Sequence, residues 1–551
     1  MILESSGWVR GRQGRRAARR WYPALGAPRG TVLFLPPWGD EMNHARPLMA
    51  AAARALAAAG WDVRCHDPFG TGDSDGEFAE ATLRGWIDDV ADDVVDARHR
   101  GPVVLWSARQ GALLVAPVMA ELRRRRKPSQ GAHRHPGVSA CAAFSPVASG
   151  TAALTQWLRI AAMATGERPE VLRARLGTGE AVQVAGYPLT GAFATELVAL
   201  DGAADGADAS RPELDLPRQS WDAATLGLER FWLETEAPLD LTLANRLVDW
   251  LERELPTGID NEATLVGLHP AAPEGEGLTT RAAAISPWPL QLEVPVGAAS
   301  RPGVLFVVGG PQTRVGAHRQ FLRWARTFAA AGHATCRYDR AGRGDADGER
   351  LPPESAGAEL LSALQQAMAA TGVKRWVVFG LCDGATVGLL HGSGHAAVAG
   401  VVAVNPWVPA AEEVASQALV SGYYARRWLD PRFWQRLFTG QVAGLKALRG
   451  WLAHRARAAR TGDNRTVAAL PERLLQAVEA SSTPTLWILS GKDRTADEFR
   501  ALVGSSPRWQ AALSRTGHAR HVIAEADHTL STAAHHDRVA TLVGAWLTRG
   551  A

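Results

Sequence analysis

The segment from Val32 to Glu77 recurs from Val304 to Glu349 at a constant offset, 339 − 67 = 272 positions between the aspartates that open the matching loops. The first copy reads VLFLPP…AAAGWDVRCHDPFGTGDSDGE and the second VLFVVG…AAAGHATCRYDRAGRGDADGE. Self-similarity at a fixed spacing means that one folding unit is present twice. In each copy an apolar strand (Val32 to Leu35, Val304 to Val308) leads into an Ala-rich helix ending at Gly60 or Gly332. A second strand and an Asp-x-x-Gly-x-Gly-Asp loop follow. Strands alternating with helices of this length build a mainly parallel sheet covered on both faces. The expectation is an α/β protein of two tandem domains, residues 1–255 and 256–551, divided near Leu255 in the 551-residue chain. Each is long enough to bury its own core.

After the strands Val138 to Phe144 and Val401 to Val404, which run into Ser145-Pro146 and Asn405-Pro406, the copies part. The first continues through helical stretches and a Gly/Ala/Asp-rich linker (Asp201 to Ser210) without a further convincing strand and acid, so its sheet reads as truncated. The second carries a helical block at about 409–480, rich in aromatic residues such as Tyr423, Trp428, Phe433 and Trp451. An insertion at that point reads as a cap over a site, with its aromatics packing the cap and lining a pocket. Between the copies, Gly258 to His269 and Pro289 to Val296 read as opening strands, separated by a loop from Pro270 to Thr280.

Net charge is only +4 although the pI is about 9.0, and arginines alternate with acids along most helices. Arg10 to Arg20 and Arg123 to Lys127 are read as solvated basic segments, and no nucleic-acid partner is expected. The four cysteines (Cys65, Cys141, Cys336, Cys382) lie in or beside apolar strands and form neither a disulfide framework nor a metal-binding pair. No cofactor and no metal are expected. With no signal core and no apolar stretch of ~20 residues, neither secretion nor a membrane span is expected, and the cytoplasm fits best.

The chemistry lies where the copies differ. Each has an apolar strand entering a turn of small residues, VVLWSARQGA from Val103 and VVFGLCDGA from Val377. Cys382 stands where the first copy has Arg109. G-L-C-D-G matches the strained strand-to-helix turn that exposes a nucleophile, and the helix starting at Asp383 points its positive end there. Downstream, the strand Thr485 to Leu489 leads to Asp493, and Val522-Ile523 leads to Asp527-His528. Nucleophile, acid and histidine thus follow in the order of an α/β hydrolase. Cys382 is expected as nucleophile, His528 as general base and then acid, and Asp493 as the acid that orients the imidazole. Asp497, one turn further on, is the alternative acid. The expected oxyanion donors are the backbone N–H of Asp383 and that of Gly310 or Gln312, because Pro311 between them has none. Asp339, Gly344 and Asp345 are read as shaping a loop beside the site, since the first copy repeats them without a nucleophile.

On these motifs the second half resembles the exosortase A system-associated hydrolase 1 family. The matching runs are VVGGPQTRVGAHRQF (Val307 to Phe321), GLCDGA, NPWV (Asn405 to Val408), YYARRWLDPRFWQRLFTG (Tyr423 to Gly440) and ADHTLS (Ala526 to Ser531). The first half resembles hydrolase 2 of the same system through PPWGDEMNHAR (Pro36 to Arg46), GTGDSDGEF (Gly70 to Phe78), the arginine-bearing WSARQGALL and VAGYPL (Val184 to Leu189). Ser107 departs from that pattern by replacing the glycine two residues before Arg109. The resemblance implies two α/β-hydrolase units fused in one cytoplasmic chain associated with bacterial exopolysaccharide and PEP-CTERM sorting systems. It implies an acyl ester or thioester hydrolase acting on a small-molecule acyl substrate, free or carrier-bound. An acyltransferase using the same triad, and a non-enzymatic assembly factor, are the alternatives.

Overall fold

A computed structural model describes the chain except residues 1–4, 11–15, 126–136, 206–215, 227–229, 231, 234–240, 256–273, 276–277, 284–289, 409–469 and 550–551. The expected strand at Gly258 to His269 and most of the expected cap lie outside the described residues. Of the cap region, only the helix Leu470–Ala480 falls within them.

Each half builds its own sheet. The first uses β1 (Ser5–Arg10), β2 (Arg16–Tyr22), β3 (Thr31–Leu35), β4 (Asp62–His66), β5 (Val103–Ala108) and β6 (Ala140–Phe144). A separate hairpin of β7 (Val182–Val184) and β8 (Tyr187–Leu189) precedes β9 (Arg218–Trp221), and the sheet order is β1-β2-β4-β3-β5-β6-β9. The second half uses β10 (Glu274–Gly275), β11 (Leu278–Ala283), β12 (Leu290–Pro295), β13 (Gly303–Val307), β14 (Thr335–Tyr338) and β15 (Trp376–Leu381). It finishes with β16 (Val398–Val404), β17 (Thr485–Ser490) and β18 (Ala519–Ile523). Its order is β10-β11-β12-β14-β13-β15-β16-β17-β18. From β3 or β13 outward every pairing is parallel, while the leading strands pair antiparallel. Successive residues of β3 face opposite cores, Leu33 and Leu35 to one side and Val32 and Phe34 to the other. The same holds in β13 for Leu305 and Val307 against Val304 and Phe306. Helices therefore cover both faces of each sheet, as parallel sheets require.

Three expectations need correction. Pro270 to Thr280 is not a plain loop, since it carries β10 and the start of β11. The first sheet continues past β6 by one strand, β9, whose end carries Asp222; a polar stretch, RQSW, concealed it. The segment Arg10 to Arg20 is not simply solvated: Arg16–Tyr22 is a strand, Arg20 is buried, and Arg19 pairs with buried Asp93. Likewise Arg124 and Arg125 bond Glu121, and Arg125 also reaches Asp88 and Asp92.

The repeated Asp loops meet each other. Arg46 bridges Asp67 of its own half (2.6 Å) and Asp345 of the other (2.9 Å). Arg314 answers from the second half, reaching Asp73 (2.7 Å) and its own Asp345 (2.7 Å), and Arg337 bonds Asp73 at 2.7 Å. Arg319 donates to the carbonyls of Gly72 (2.9 Å), Ser74 and Gly76 (2.6 Å). All these side chains are buried or nearly so, which is why each charge has an opposite charge or a carbonyl beside it. Gly72 and Gly344 both have positive φ (49° and 54°), and a Cβ at either would lie within 2.3 Å of its own loop's aspartate. The loops are thus repeated because both shape the junction between halves.

Candidate active site

The strand β15 ends in a backbone that only small neighbours allow. Cys382 has φ 58° and ψ −127°. A Cβ at Gly380 would lie 2.4 Å from the Gly384 carbonyl oxygen, and one at Gly384 would lie 2.2 Å from that of Val307. A non-glycine residue held at positive φ stores strain of about 1–3 kcal/mol, kept in place by the surrounding packing. Cys382 is the partly exposed thiol at this turn, followed by the helix Asp383–Val387.

His528 comes to Cys382 from the loop after β18. Its Nδ1 lies 2.9 Å from Asp493 Oδ1, and Cys382 is a close enough neighbour to act on the charge of the ring. Burial disfavours a charged ring, yet Asp493 and Cys382 outweigh it and push the His528 pKa up to about 10. Asp493 is buried and caps the helix Arg494–Ser505, accepting from Thr495 N (3.2 Å) and Ala496 N (3.0 Å). Those bonds fix the carboxylate's direction. Asp497, whose side chain is 66% exposed, pairs instead with Arg500. The structure brings Cys382, His528 and Asp493 together and leaves Asp497 outside.

Of the expected oxyanion donors, Gly310 and Gln312 are engaged. Gly310 N–H donates to Asp383 Oδ1 at 2.6 Å, and Gln312 N–H donates to the Gly309 carbonyl at 3.3 Å. The Asp383 carboxylate is anchored from behind by Arg340 (3.0 Å) and Arg343 (3.1 Å). The Gln312 side chain reaches across to Asn43 of the first half (3.3 Å).

Several contributors escape sequence reasoning. Asn405, buried at φ 44°, donates to the His528 carbonyl (3.0 Å) and to Ser490 Oγ (2.9 Å), tying β16, β17 and the histidine loop together. Its conspicuous Asn-Pro at a strand end was the available signal. Arg340 and Arg343 flank the repeated glycine loop, but nothing in their spacing points to Asp383.

The first half keeps the same turn with different contents. Arg109 has φ 51°, and a Cβ at Gly111 would lie 2.3 Å from the Leu35 carbonyl oxygen. The guanidinium is buried, bonded to Glu41 (2.9 Å), the Ser145 carbonyl (3.0 Å) and Gln156 (3.2 Å), and stacked 4.0 Å from the Trp232 ring centroid. Glu41 enters from the first turn of the helix Asp40–Ala58. The matching position of the second half for Asp40 is Gln312 (40 + 272 = 312), but there the helix starts only at Gln320, and Gly310-Pro311 forms a turn instead. Asp222 at the end of β9 caps the next turn by accepting from Ala224 N at 2.8 Å, rather than accepting from Arg109. No histidine joins it among the described residues.

In comparison with known proteins, residues 304–542 match the model of an alpha/beta hydrolase family. No curated protein matches the chain in sequence. Among solved structures, an esterase from Pyrococcus furiosus is similar over 50% of this chain and 91% of its own, at 12% identity and TM-score 0.34. An alpha-beta serine hydrolase homologue from Coxiella burnetii is similar over 49% and 97% (13% identity, TM-score 0.29). The thioesterase domain from the curacin biosynthetic pathway is similar over 49% and 99% (15% identity, TM-score 0.31). Strand order, elbow and family match together describe an α/β-hydrolase fold.

Proposed function

We propose that the second half hydrolyses acyl esters or thioesters with Cys382 as nucleophile, His528 as acid and base, and Asp493 as the group that orients the histidine. The observation that carries this reading is the His528 ring, held between Asp493 at 2.9 Å and Cys382 at the strained elbow. In this reading His528 takes the Cys382 thiol proton as the sulfur attacks. The Cys382 sulfur attacks the acyl carbon, and the carbonyl π electrons move onto oxygen. Collapse of that intermediate breaks the bond to the leaving alcohol or thiol, which takes its proton from His528. The now neutral ring removes a proton from water as it attacks the acyl-enzyme, and on release of the acid His528 returns that proton to the Cys382 sulfur. Asp383 N–H and Gly310 N–H are the oxyanion donors in this reading, the second once it is released from Asp383 Oδ1.

The other thiols support the choice of nucleophile, since burial pushes Cys141 up to about 11, Cys336 up to about 12 and Cys65 higher still. The motif resemblance adds the context of an exosortase A system, with an acyl group of the polysaccharide or protein-sorting machinery as substrate class. Intact-mass measurement after mixing with a short-chain p-nitrophenyl ester or acyl thioester tests the chemistry. An acyl adduct on Cys382, absent in Cys382→Ala, is the expected result. An adduct elsewhere, or undiminished hydrolysis by Cys382→Ala, overturns it.

A further inference from the structure

The hairpin β7–β8 of the first half turns through Ala185 (φ 48°) and Gly186 (φ 82°), the double-positive turn that two-residue hairpins favour. Its tip rests on His318 of the second half: a Cβ at Gly186 would lie 2.4 Å from the imidazole carbon Cδ2. Two more first-half groups hold the same stretch of backbone. Asn43 Nδ2 donates to the Ala317 carbonyl (2.7 Å) and the Gly316 carbonyl (3.3 Å), and Tyr187 OH donates to the Ala317 carbonyl (3.4 Å). Asn43 Oδ1 also accepts from Thr313 Oγ1 at 3.0 Å.

His318 in turn holds the histidine loop. Its Nε2 lies 3.0 Å from the carbonyl oxygen of Thr529, the residue after His528. A carbonyl only accepts, so Nε2 carries the proton. Nδ1 has no partner among the described residues, and the ring is buried against that of His536 with centroids 4.8 Å apart. Burial, with Arg323 nearby, pushes the His318 pKa down to about 4, so the ring is neutral. On the far side of the stack, His536 Nδ1 accepts from Arg323 (3.0 Å), which is itself paired with Glu77 of the first half. Two successive carbonyls of the loop are thus pinned, that of His528 by Asn405 and that of Thr529 by His318.

We propose that the first half is a positioning domain for the active site of the second, acting through His318 as a positioning residue that sets the height and tilt of His528. The proposal rests on the reading of His528 as the catalytic base. It gives the half without a nucleophile a catalytic consequence with no substrate of its own. A shift of about 1 Å in a positioned group costs on the order of 100-fold in rate, so a carbonyl-to-imidazole clamp has room to matter.

The full-length chain tests it with His318→Ala, His318→Gln and Asn43→Ala, each measured for kcat and KM on a short acyl thioester and for the pH dependence of Cys382 carboxymethylation. His318→Ala is expected to lower kcat about 10- to 100-fold with KM within about twofold, and to displace the carboxymethylation profile, because the Cys382 sulfur loses its aligned imidazole partner. His318→Gln, whose amide can donate to the Thr529 carbonyl, is expected to recover most of the loss. Asn43→Ala, remote from Cys382, is expected to lower kcat by a smaller factor in the same direction. If Asn43→Ala does not fold, Tyr187→Phe, which deletes a single hydroxyl, takes its place. Wild-type kcat and carboxymethylation in His318→Ala, with Cys382→Ala inactive, overturns the positioning role alone. Retained hydrolysis by Cys382→Ala overturns the active-site reading and the proposal with it.

Discussion

The two elbows of this chain share a backbone and differ in what fills it. Arg109 and Cys382 sit at φ 51° and 58°, each after a parallel central strand and each before a glycine packed on a neighbouring carbonyl. In the second half the turn presents a thiol to an imidazole. In the first, a guanidinium lies in its own carboxylate, carbonyl and indole, with Glu41 supplied by a helix that starts eight residues earlier than its counterpart (320 − 312 = 8). The elbow geometry is therefore a property of the fold, while chemistry depends on whether the neighbouring segment forms a turn rather than a helix and a histidine strand is present.

The most severe break of that comparison is Cys382→Ala, which should reduce acyl hydrolysis about 10⁴-fold or more, as loss of a nucleophile does in such triads. Steady-state kinetics on the short thioester check it, and Arg109→Ala should leave the same kcat/KM within about twofold. Next, Asp493→Asn should cost about 10³- to 10⁴-fold in kcat because the neutral amide allows the wrong imidazole tautomer, whereas Asp497→Asn should stay within about twofold. Equal effects of the two substitutions would remove the distinction drawn from burial.

The third contrast concerns stability. Arg109→Ala leaves Glu41 buried beside Gln156 with its charge partner gone, so the first half should lose about 3–5 kcal/mol. Chemical denaturation followed by tryptophan fluorescence reads this. Replacing both members, Arg109→Met with Glu41→Leu, should recover much of the loss. The partners of Arg109 lie in its own half, so this substitution should not weaken the junction between halves, whereas Asp73→Asn should.

The last contrast is in pH. Burial lowers His66 to about 3, His318 to about 4 and His536 to about 2, so each stays neutral in the folded chain while the unfolded chain takes up a proton near 6.5. The unfolded state then binds more protons, and stability should fall as pH drops from about 6.5 toward 4. His528 acts oppositely: its raised pKa stabilises below about 6.5, and that contribution is lost as pH rises toward 10. Asp73 and Asp345 are held below the usual carboxylate range, with burial opposed and outweighed by Arg314 and Arg337 for Asp73 and by Arg46, Arg20 and Arg314 for Asp345. Their contribution persists until the pH is well below 4. Melting temperatures at pH 4.5, 7 and 9 should therefore peak near neutrality, and a maximum at pH 4.5 would contradict the buried histidines.

Much of this was written locally. The 272-residue repeat announced two sheets. Apolar runs marked β3, β5, β13, β15 and β17, and small residues around Cys382 marked a strained turn, because each signal arises within a few bonds of the residue that carries it. Short or polar strands such as β9 (RQSW) and β10 (EG) gave no such signal, their place being set by pairing with a neighbouring strand. The carboxylate on the Gly310 N–H, the burial that separates Asp493 from Asp497, the Glu41 that takes up Arg109, and the path from Gly186 through His318 to the histidine loop belong to the tertiary structure alone. The bonds among them join distant groups, from Glu41 and Arg109, 68 positions apart, to His318 and Thr529, 211 positions apart. Residue types fix which bonds a side chain can make; only packing fixes which partner arrives, and at what distance and in what dielectric it does so.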